Sequence, residues 1–359
     1  MGNASQGKVI DLFSGVGGLT HGFVLEGFDV VAGIDIDDSC RYAFESNNGS
    51  RFIRKDIAEV TAEELRELYG DESLKILIAC APCQPFSTLN LNRAVYQKSS
   101  EKWASLSYLV RLITKVQPEV VSMENVPELA DRKKFPIFGR FVRALKGNRY
   151  HVSYSVVDAS KYGVPQRRKR LILLASRLGP ISLLAETHPD HPVTVRQSIG
   201  DLPPIRDGET SPSDMLHRAS RLSDLNRKRI RATPKDGGSA SSWDRELLPK
   251  CFKDKRGESY KCTVYGRMKW DEPAPTMTTQ CSTLGTGRFG HPSQNRAISL
   301  REAARFQTFP DDYEFDRPDN VQASRVAKHI GNAVPVRLGQ IIAMSIKNHI
   351  NEFNYGKTK

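Results

Sequence analysis

The sequence predicts an α/β protein: a doubly wound, mostly parallel sheet with a second, smaller, loop-rich domain. Three observations carry that expectation. Short apolar runs alternate with helical patterns through the first half of the chain, as in successive βα units. The first run, Val9 to Phe13, passes into a helical pattern through Ser14-Gly15-Val16-Gly17-Gly18. Residues 196 to 270 lose this periodicity and become rich in Ser, Gly and Pro, with seventeen Lys/Arg against ten Asp/Glu. The further runs, Val30 to Ile34, Leu74 to Ala79, Val120 to Met123 and Leu171 to Ala175, are apolar at consecutive positions, which is the pattern of parallel strands buried on both faces. Helical patterns at Glu63 to Tyr69 and Ala104 to Val116 supply crossovers between them. Ser324 to Asn348 reads as helical, interrupted at Gly331-Asn332-Ala333-Val334-Pro335. The expected boundaries are 1–195 for the first domain, 196–322 for the second, and 323–359 for a helical segment that returns to the first. Trp243, Tyr260, Tyr265 and Trp270 favour a folded second domain over a disordered insertion.

Composition narrows the function classes. The chain has 359 residues, 39% of them hydrophobic, and a formal net charge of +12, an excess that suits a polyanionic partner. Its first 75 residues hold seven Lys/Arg against fourteen Asp/Glu, so the basic surface is expected downstream. Six scattered cysteines make no disulfide scaffold and fit a reducing, cytoplasmic compartment. The longest charge-free stretch, Ile76 to Asn92, is broken by Pro82, Gln84 and Pro85, so no membrane span is expected. Residues 1 to 10 lack the apolar run of a signal peptide, and Gln6 stands where a myristoylation pattern needs Ser or Thr.

Chemistry-bearing residues follow the predicted strands. Gly15 and Gly17 let the backbone approach a ligand closely, and Asp35, twenty residues after Gly15, can accept hydrogen bonds from ribose hydroxyls. The third glycine position of a dinucleotide fingerprint is Thr20, which favours S-adenosylmethionine, with its ribose and no pyrophosphate, over NAD or FAD. An ordinary glycine turn beside a surface Asp is the plain alternative. Cys80-Ala81-Pro82-Cys83-Gln84-Pro85 follows the next strand and has two readings. Either Cys80 and Cys83 form a redox dithiol, or Cys83 is a lone nucleophile at a strand end and Cys80 a buried packing residue. A zinc site would need two more ligands, and Cys251 and Cys262 have no partnering motif, so no metal is expected. Glu124 closes its strand on the same sheet edge as Cys83, although a carboxyl there is more often solvated or salt-bridged. Gln166, Arg168 and Arg170 alternate in an extended segment and could converge on one face.

Taken in order, these residues resemble the cytosine-C5 DNA methyltransferase family, of the bacterial modification-enzyme type. The matches are Phe13 to Gly18, Pro82-Cys83-Gln84, Glu124-Asn125-Val126, Gln166-x-Arg168-x-Arg170, Arg301-Glu302-Ala303-Ala304-Arg305 with Gln307, Phe309 and Pro310, and Gly331 to Pro335. They span nearly the whole chain except about residues 200 to 285. The resemblance implies the S-adenosylmethionine-dependent methyltransferase fold, with a target-recognition domain in the variable stretch. It also implies methylation of C5 on a cytosine rotated out of double-stranded DNA. C5 is a poor nucleophile, so the Cys83 thiolate would add to C6, and Glu124 would contact the N3 edge and supply a proton. Arg168 would hold O2, while Arg170 would support the site and help keep Cys83 ionised. Around S-adenosylmethionine, Phe13 would stack on the adenine, Gly15 and Gly17 admit the cofactor, Asp35 bind its ribose and Ile36 line the adenine pocket. Asp56 and Ile57 would address the adenine edge, and Pro82, Asn332 and Val334 would close around the methionine part. The loop Phe86 to Trp103 would close over the extruded base. Thr276 to Thr279 and Thr286-Gly287-Arg288 resemble positioning elements of the recognition region. The implied setting is a monomer in the bacterial cytoplasm or nucleoid, modifying DNA within a restriction-modification system. A tRNA cytosine methyltransferase on the same scaffold and a non-catalytic DNA-binding protein are the alternatives.

Overall fold

In the computed structural model, which describes residues 7–71, 73–82, 104–252 and 263–357, seven strands form one sheet. They are β1 (Lys8–Leu12), β2 (Asp29–Asp35), β3 (Arg51–Arg54), β4 (Lys75–Cys80), β5 (Val120–Asn125), β6 (His151–Asp158) and β7 (Lys169–Ser176). Their spatial order is β3-β2-β1-β4-β5-β7-β6. The first five strands are mutually parallel, while β7 runs antiparallel to both β5 and β6.

The parallel part is wound by α1 (Gly18–Leu25), α2 (Arg41–Asn48), α3 (Ala62–Tyr69), α4 (Ala104–Val116) and α5 (Pro136–Gly147). Two of the starts have a clear local cause. Thr61 and Glu64 form a capping box at α3, satisfying two otherwise orphaned backbone donors, and Pro136 opens α5 where its missing N–H is not needed. Alternation along β1 divides the faces. Ile10 and Leu12 join Leu77, Ala79, Val121 and Met123 in a core closed by Leu65, Leu109, Leu112, Phe138 and Phe141 from α3, α4 and α5. Asp11 points the other way and meets Thr20 of α1.

Two expectations need correction. Leu171 to Ala175 is buried, as its sequence suggests, but the strand is antiparallel rather than parallel. Only ten residues separate β6 from β7, too few for the helical crossover that a parallel neighbour requires. The expected boundaries also shift. One compact unit comprises the chain up to Asp158, Lys169–Glu186 and the chain from Val336; the other comprises Ala159–Arg168 and Thr187–Pro335. Ala159–Arg168 and the residues from Thr187 to 195 therefore belong with the second unit.

The second unit contains α6 (Val195–Ile199), the short pair β8 (Thr210–Ser211) and β9 (Asp214–Arg218), α7 (Asp224–Ala232), α8 (Leu300–Phe306) and α9 (Ala323–Asn332). Much of it is irregular, and buried arginines satisfy its main-chain acceptors. Arg267, 1% exposed, donates to Thr233 O (3.0 Å), Ile230 O (2.7 Å), His291 O (2.9 Å) and the Asn295 side chain (2.6 Å). Arg296 grips Glu302 with two hydrogen bonds of 2.8 and 2.7 Å, and Glu302 also forms a capping box with Ser299 at the start of α8. Burial would push the Glu302 carboxyl up, but the Arg296 fork and its charge outweigh that and hold it below the ordinary range. Arg301 pairs with Asp214, and Arg305 with Asp201 and Asp311. The charged residues of the Arg301-to-Arg305 motif are thus architectural.

The last helix, α10 (Val336–Lys357), belongs to the first unit and packs on α1. A Cβ on Gly22 would sit 2.5 Å from Gln340 N, so only glycine allows this approach. Lys347 Nζ and Gln340 Nε2 secure the contact through Glu26 at 2.9 and 3.2 Å. The expected break at Gly331 to Pro335 is real, but only the part beyond it joins the first unit. Among the described residues no helix is long and apolar enough to cross a membrane.

His291 makes the second unit acid-sensitive. Its Nδ1 accepts Ser293 N (3.2 Å) and Gln294 N (3.0 Å), a role only an unprotonated nitrogen can fill. Burial lowers the imidazole to about 4; Glu302 opposes the shift, while the nearby Arg296, Arg267 and His217 add to it. The unfolded chain binds this proton near pH 6.5 and the folded chain resists it, so stability should fall as pH drops from 6.5 towards 5, by up to about 1.4 kcal/mol per pH unit. Thermal melts across that window should show the decline, and His291→Gln should flatten it.

Candidate active site

Parallel pairing places Cys80, the last residue of β4, directly opposite Glu124 on β5. The Cys80 thiol donates to Glu124 Oε2 at 3.0 Å. On the far side of β5, Arg170 of β7 brings its Nε to 2.7 Å from Glu124 Oε1. A carboxyl group only 3% exposed would be costly without such a cation. Next along β5, the buried Asn125 donates to Ala81 O (3.0 Å) and accepts from Val126 N (2.9 Å), tying the two strand ends together. Sequence reasoning gave Asn125 no role, although its place beside Glu124 was the available signal. Pro82 is exposed at the end of this segment. Cys83 and the loop Phe86 to Trp103 lie outside the described residues, as do Tyr260 and Cys262.

The expected alternation is present: Gln166 and Arg168 are buried and Arg170 half-buried, while Arg167 and Lys169 between them are exposed, but the three side chains bond different groups. The strand begins at Lys169, so only Arg170 has its position fixed by the sheet. Gln166 and Arg168 belong to the second unit and bond to main chain there. Arg168 Nη1 donates to Met277 O (3.0 Å), and Nη2 to Ala333 O (3.2 Å) and Gly331 O (3.4 Å). Gln166 donates to Phe306 O and Gln307 Oε1 and accepts from Met277 N. Gln307 in turn donates to Ile330 O (2.6 Å) and Ala333 O (3.0 Å). This network orders the segment containing Asn332, which is exposed, and Val334, which is buried. Thr276 donates to Arg167 O, and Arg288 to Gly237 O and Arg267 O, so both serve the framework of the second unit.

A second constellation sits where β1 turns into α1. Phe13, with a left-handed φ of 60°, and Ser14 donate their amides to Ile34 O (2.8 and 3.2 Å), folding the turn over β2. Gly15 has φ 51°, and a Cβ there would have nothing within 4 Å, so the turn is both strained for other residues and open. Asp35 Oδ2 accepts Gly15 N at 2.8 Å and Oδ1 accepts Asp37 N at 2.9 Å. Each oxygen keeps a second lone pair for a hydroxyl donor. Ile36, beside it, is 62% exposed. An open glycine turn, a fixed carboxylate and an uncovered apolar side chain fit a ribose-bearing ligand with a flat base. Asp56 is exposed after β3, whereas the Ile57 side chain is buried in the core. Arg111, unmarked in the sequence, fixes this loop through Ile57 O, Ala58 O and Val60 O at 3.2, 3.2 and 2.9 Å.

Beneath the glycine turn lies Asp11, fully buried, with the Thr20 hydroxyl donating to its Oδ2 at 2.6 Å. Burial pushes its carboxyl up to about 8; Thr20 opposes the shift and the charge of Asp35 adds to it. Elsewhere, burial pushes the Cys281 thiol up to about 12, which disqualifies it as a nucleophile.

Comparison with known proteins agrees with this geometry. The family described as C-5 cytosine-specific DNA methylase matches residues 7–348. The chain is 49% identical over 345 residues to the Type II methylase M.HgiDII of Herpetosiphon aurantiacus, covering 96% of each chain. It is 32% identical to the Type II methyltransferase M1.BsuMI of Bacillus subtilis, covering 94% of this chain and 79% of that one. Among solved structures, a putative DNA modification methyltransferase encoded within an E. coli prophage superposes with a TM-score of 0.71 at 23% identity, covering 96% and 99% of the two chains. The S. pombe Dnmt2 methyltransferase superposes at 0.60 and 18% identity, covering 96% and 99%. These two likenesses concern the fold.

The Asp11 carboxyl yields a stability prediction. Its folded form prefers to be neutral, so its contribution is complete below the unfolded value near 3.9 and is lost as pH rises through about 8. Asp11→Asn keeps an acceptor for Thr20 and removes the titration. Thermal melts should show the variant gaining on the wild type between pH 5 and 8, by up to about 1.4 kcal/mol per pH unit. A gap that does not widen with pH would contradict this.

Proposed function

The chain belongs to the C-5 cytosine-specific DNA methylase family and is a DNA (cytosine-5-)-methyltransferase, and we propose that it works by covalent catalysis with Cys83 as nucleophile and Glu124 as general acid. The observation that carries this reading is the buried Glu124 carboxyl, held between Cys80 and Arg170 at the edge where β4 runs on into Pro82-Cys83. The Cys83 thiolate adds to C6 of the cytosine while Glu124 gives a proton to N3, so the electron pair displaced from the C5–C6 bond becomes available at C5. S-adenosylmethionine, when bound, supplies the methyl group that C5 takes. Loss of the C5 proton to a base then re-forms the double bond, expels the Cys83 thiolate and lets N3 return its proton.

Phe13, Gly15, Gly17, Asp35, Ile36 and Asp56 would hold the adenosine part of that cofactor, with the main chain at Ile57; Pro82, Asn332 and Val334 would surround the methionine part. Arg170 steadies the carboxyl group. Arg168, whose terminal nitrogens already bond three carbonyls, takes the part of a clamp on the segment around Asn332 rather than that of a ligand to cytosine O2. The basic stretch from Arg196 to Lys269 would contact DNA phosphates and the second unit would read the target sequence, with affinity falling steeply as salt rises. The likeness to Type II enzymes supports modification within a restriction-modification system; a monomer in the bacterial cytoplasm is the proposed setting.

Cys83→Ser should abolish methyl transfer to duplex DNA while DNA and cofactor binding survive, and Glu124→Gln should lower kcat by roughly 10²- to 10⁴-fold. Labelled methyl transfer measures both. Duplexes carrying 5-fluorocytosine should trap wild-type protein in a denaturant-resistant adduct; label incorporation by Cys83→Ser, or no adduct, would sink the covalent route.

A further inference from the structure

We propose that Cys80 is a positioning residue for methyl transfer: its thiol hydrogen-bonds Glu124 and fixes the plane of the carboxyl group that faces the cytosine. The inference rests on the reading of Glu124 as the general acid. Sequence reasoning treated Cys80 either as half of a redox pair or as a packing residue, and the geometry points to a third role. Cys80 is only half-buried, and its thiol lies 3.0 Å from Glu124 Oε2.

Two features make the contact more than incidental. The first is register. Cys80 and Glu124 are paired residues of adjacent parallel strands, so their side chains are set side by side by the backbone ladder. The second is the division of the carboxyl group between two partners. Arg170 faces Oε1 at 2.7 Å and Cys80 bonds Oε2. The terminal torsion of a glutamate is soft and roughly two-fold, so a single anchor leaves the carboxyl plane free to turn. The Cys80 hydrogen bond on Oε2 and the Arg170 charge beside Oε1 define it, and Oε1, which accepts no hydrogen bond among the described residues, stays open to the base edge.

A thiol is a weak donor, so the expected effect is modest and specific. In steady-state methyl transfer, Cys80→Ala should lower kcat about three- to tenfold while the KM values for DNA and S-adenosylmethionine stay within about twofold. Cys80→Ser restores a donor and should recover most of the lost kcat. In the Glu124→Gln background, Cys80→Ala should produce no further loss, since its effect acts through that carboxyl. Wild-type kcat in Cys80→Ala would overturn the proposal. Equal losses in the Ala and Ser variants would also overturn it, because they would mark a packing role; thermal melts show whether both fold. Glu124→Gln separates this claim from the one beneath it. If that variant keeps wild-type kcat, the general acid is wrongly assigned; if it is inactive and Cys80→Ala is unimpaired, only the role of Cys80 fails.

Discussion

A carboxyl group buried at the end of a parallel strand constrains the whole of this site. Glu124 is almost fully enclosed, and a charge in such a place must be met by a cation and by hydrogen bonds. The sheet supplies the cation by an unusual use of direction. Strands β4 and β5 deliver their C-terminal ends to one edge, but β7 runs the opposite way and delivers its beginning there. Residues that precede the apolar core of β7 therefore arrive beside residues that follow the apolar core of β5. Arg170 reaches Glu124 because β7 is antiparallel; a parallel strand would have carried that arginine to the far end of the sheet.

The second unit answers a different difficulty. A loop-rich domain exposes many carbonyl groups with no ladder partner, and buried ones must be satisfied. Arg267, Arg296 and Arg168 do this with guanidinium groups whose several donors each reach a different segment. Arg296 also meets the Glu302 carboxylate, and removing one partner of such a buried ion pair typically costs about 3–5 kcal/mol. Part of the excess positive charge noted in the sequence is therefore structural.

Sequence made the parallel core legible because strands covered on both faces must be apolar throughout, and the runs at Val9, Val30, Leu74 and Val120 all proved to be strands. Helix α4 emerged with the boundaries its periodicity predicts. The edge strands β3 and β6 were invisible for the complementary reason: Arg51–Arg54 and His151–Asp158 carry polar residues because one or both faces are open. The direction of β7 could not be read either, since it depends on the length of a connection rather than on the strand's own residues. Within the site, alternation grouped Arg168 with Arg170, but the strand starts between them and sends the two to different partners. Cys80 was ambiguous because a thiol serves equally as a small hydrophobe and as a weak donor, and only its cross-strand neighbour decides which. Asp11 and Arg111 carried no signal, because burial and reach to main chain are tertiary properties.

The chain enters the second unit twice, once as Ala159–Arg168 and again as Thr187–Pro335. Gln166 and Arg168, on the short passage, hold carbonyls at Met277, Phe306 and Ala333 on the long one. A chimaera that transplanted only the long passage from a relative would mate these side chains with foreign main chain. Swapping the second unit between such enzymes thus calls for two splice junctions more than the linear order of motifs suggests, with the decapeptide before β7 travelling as part of the graft.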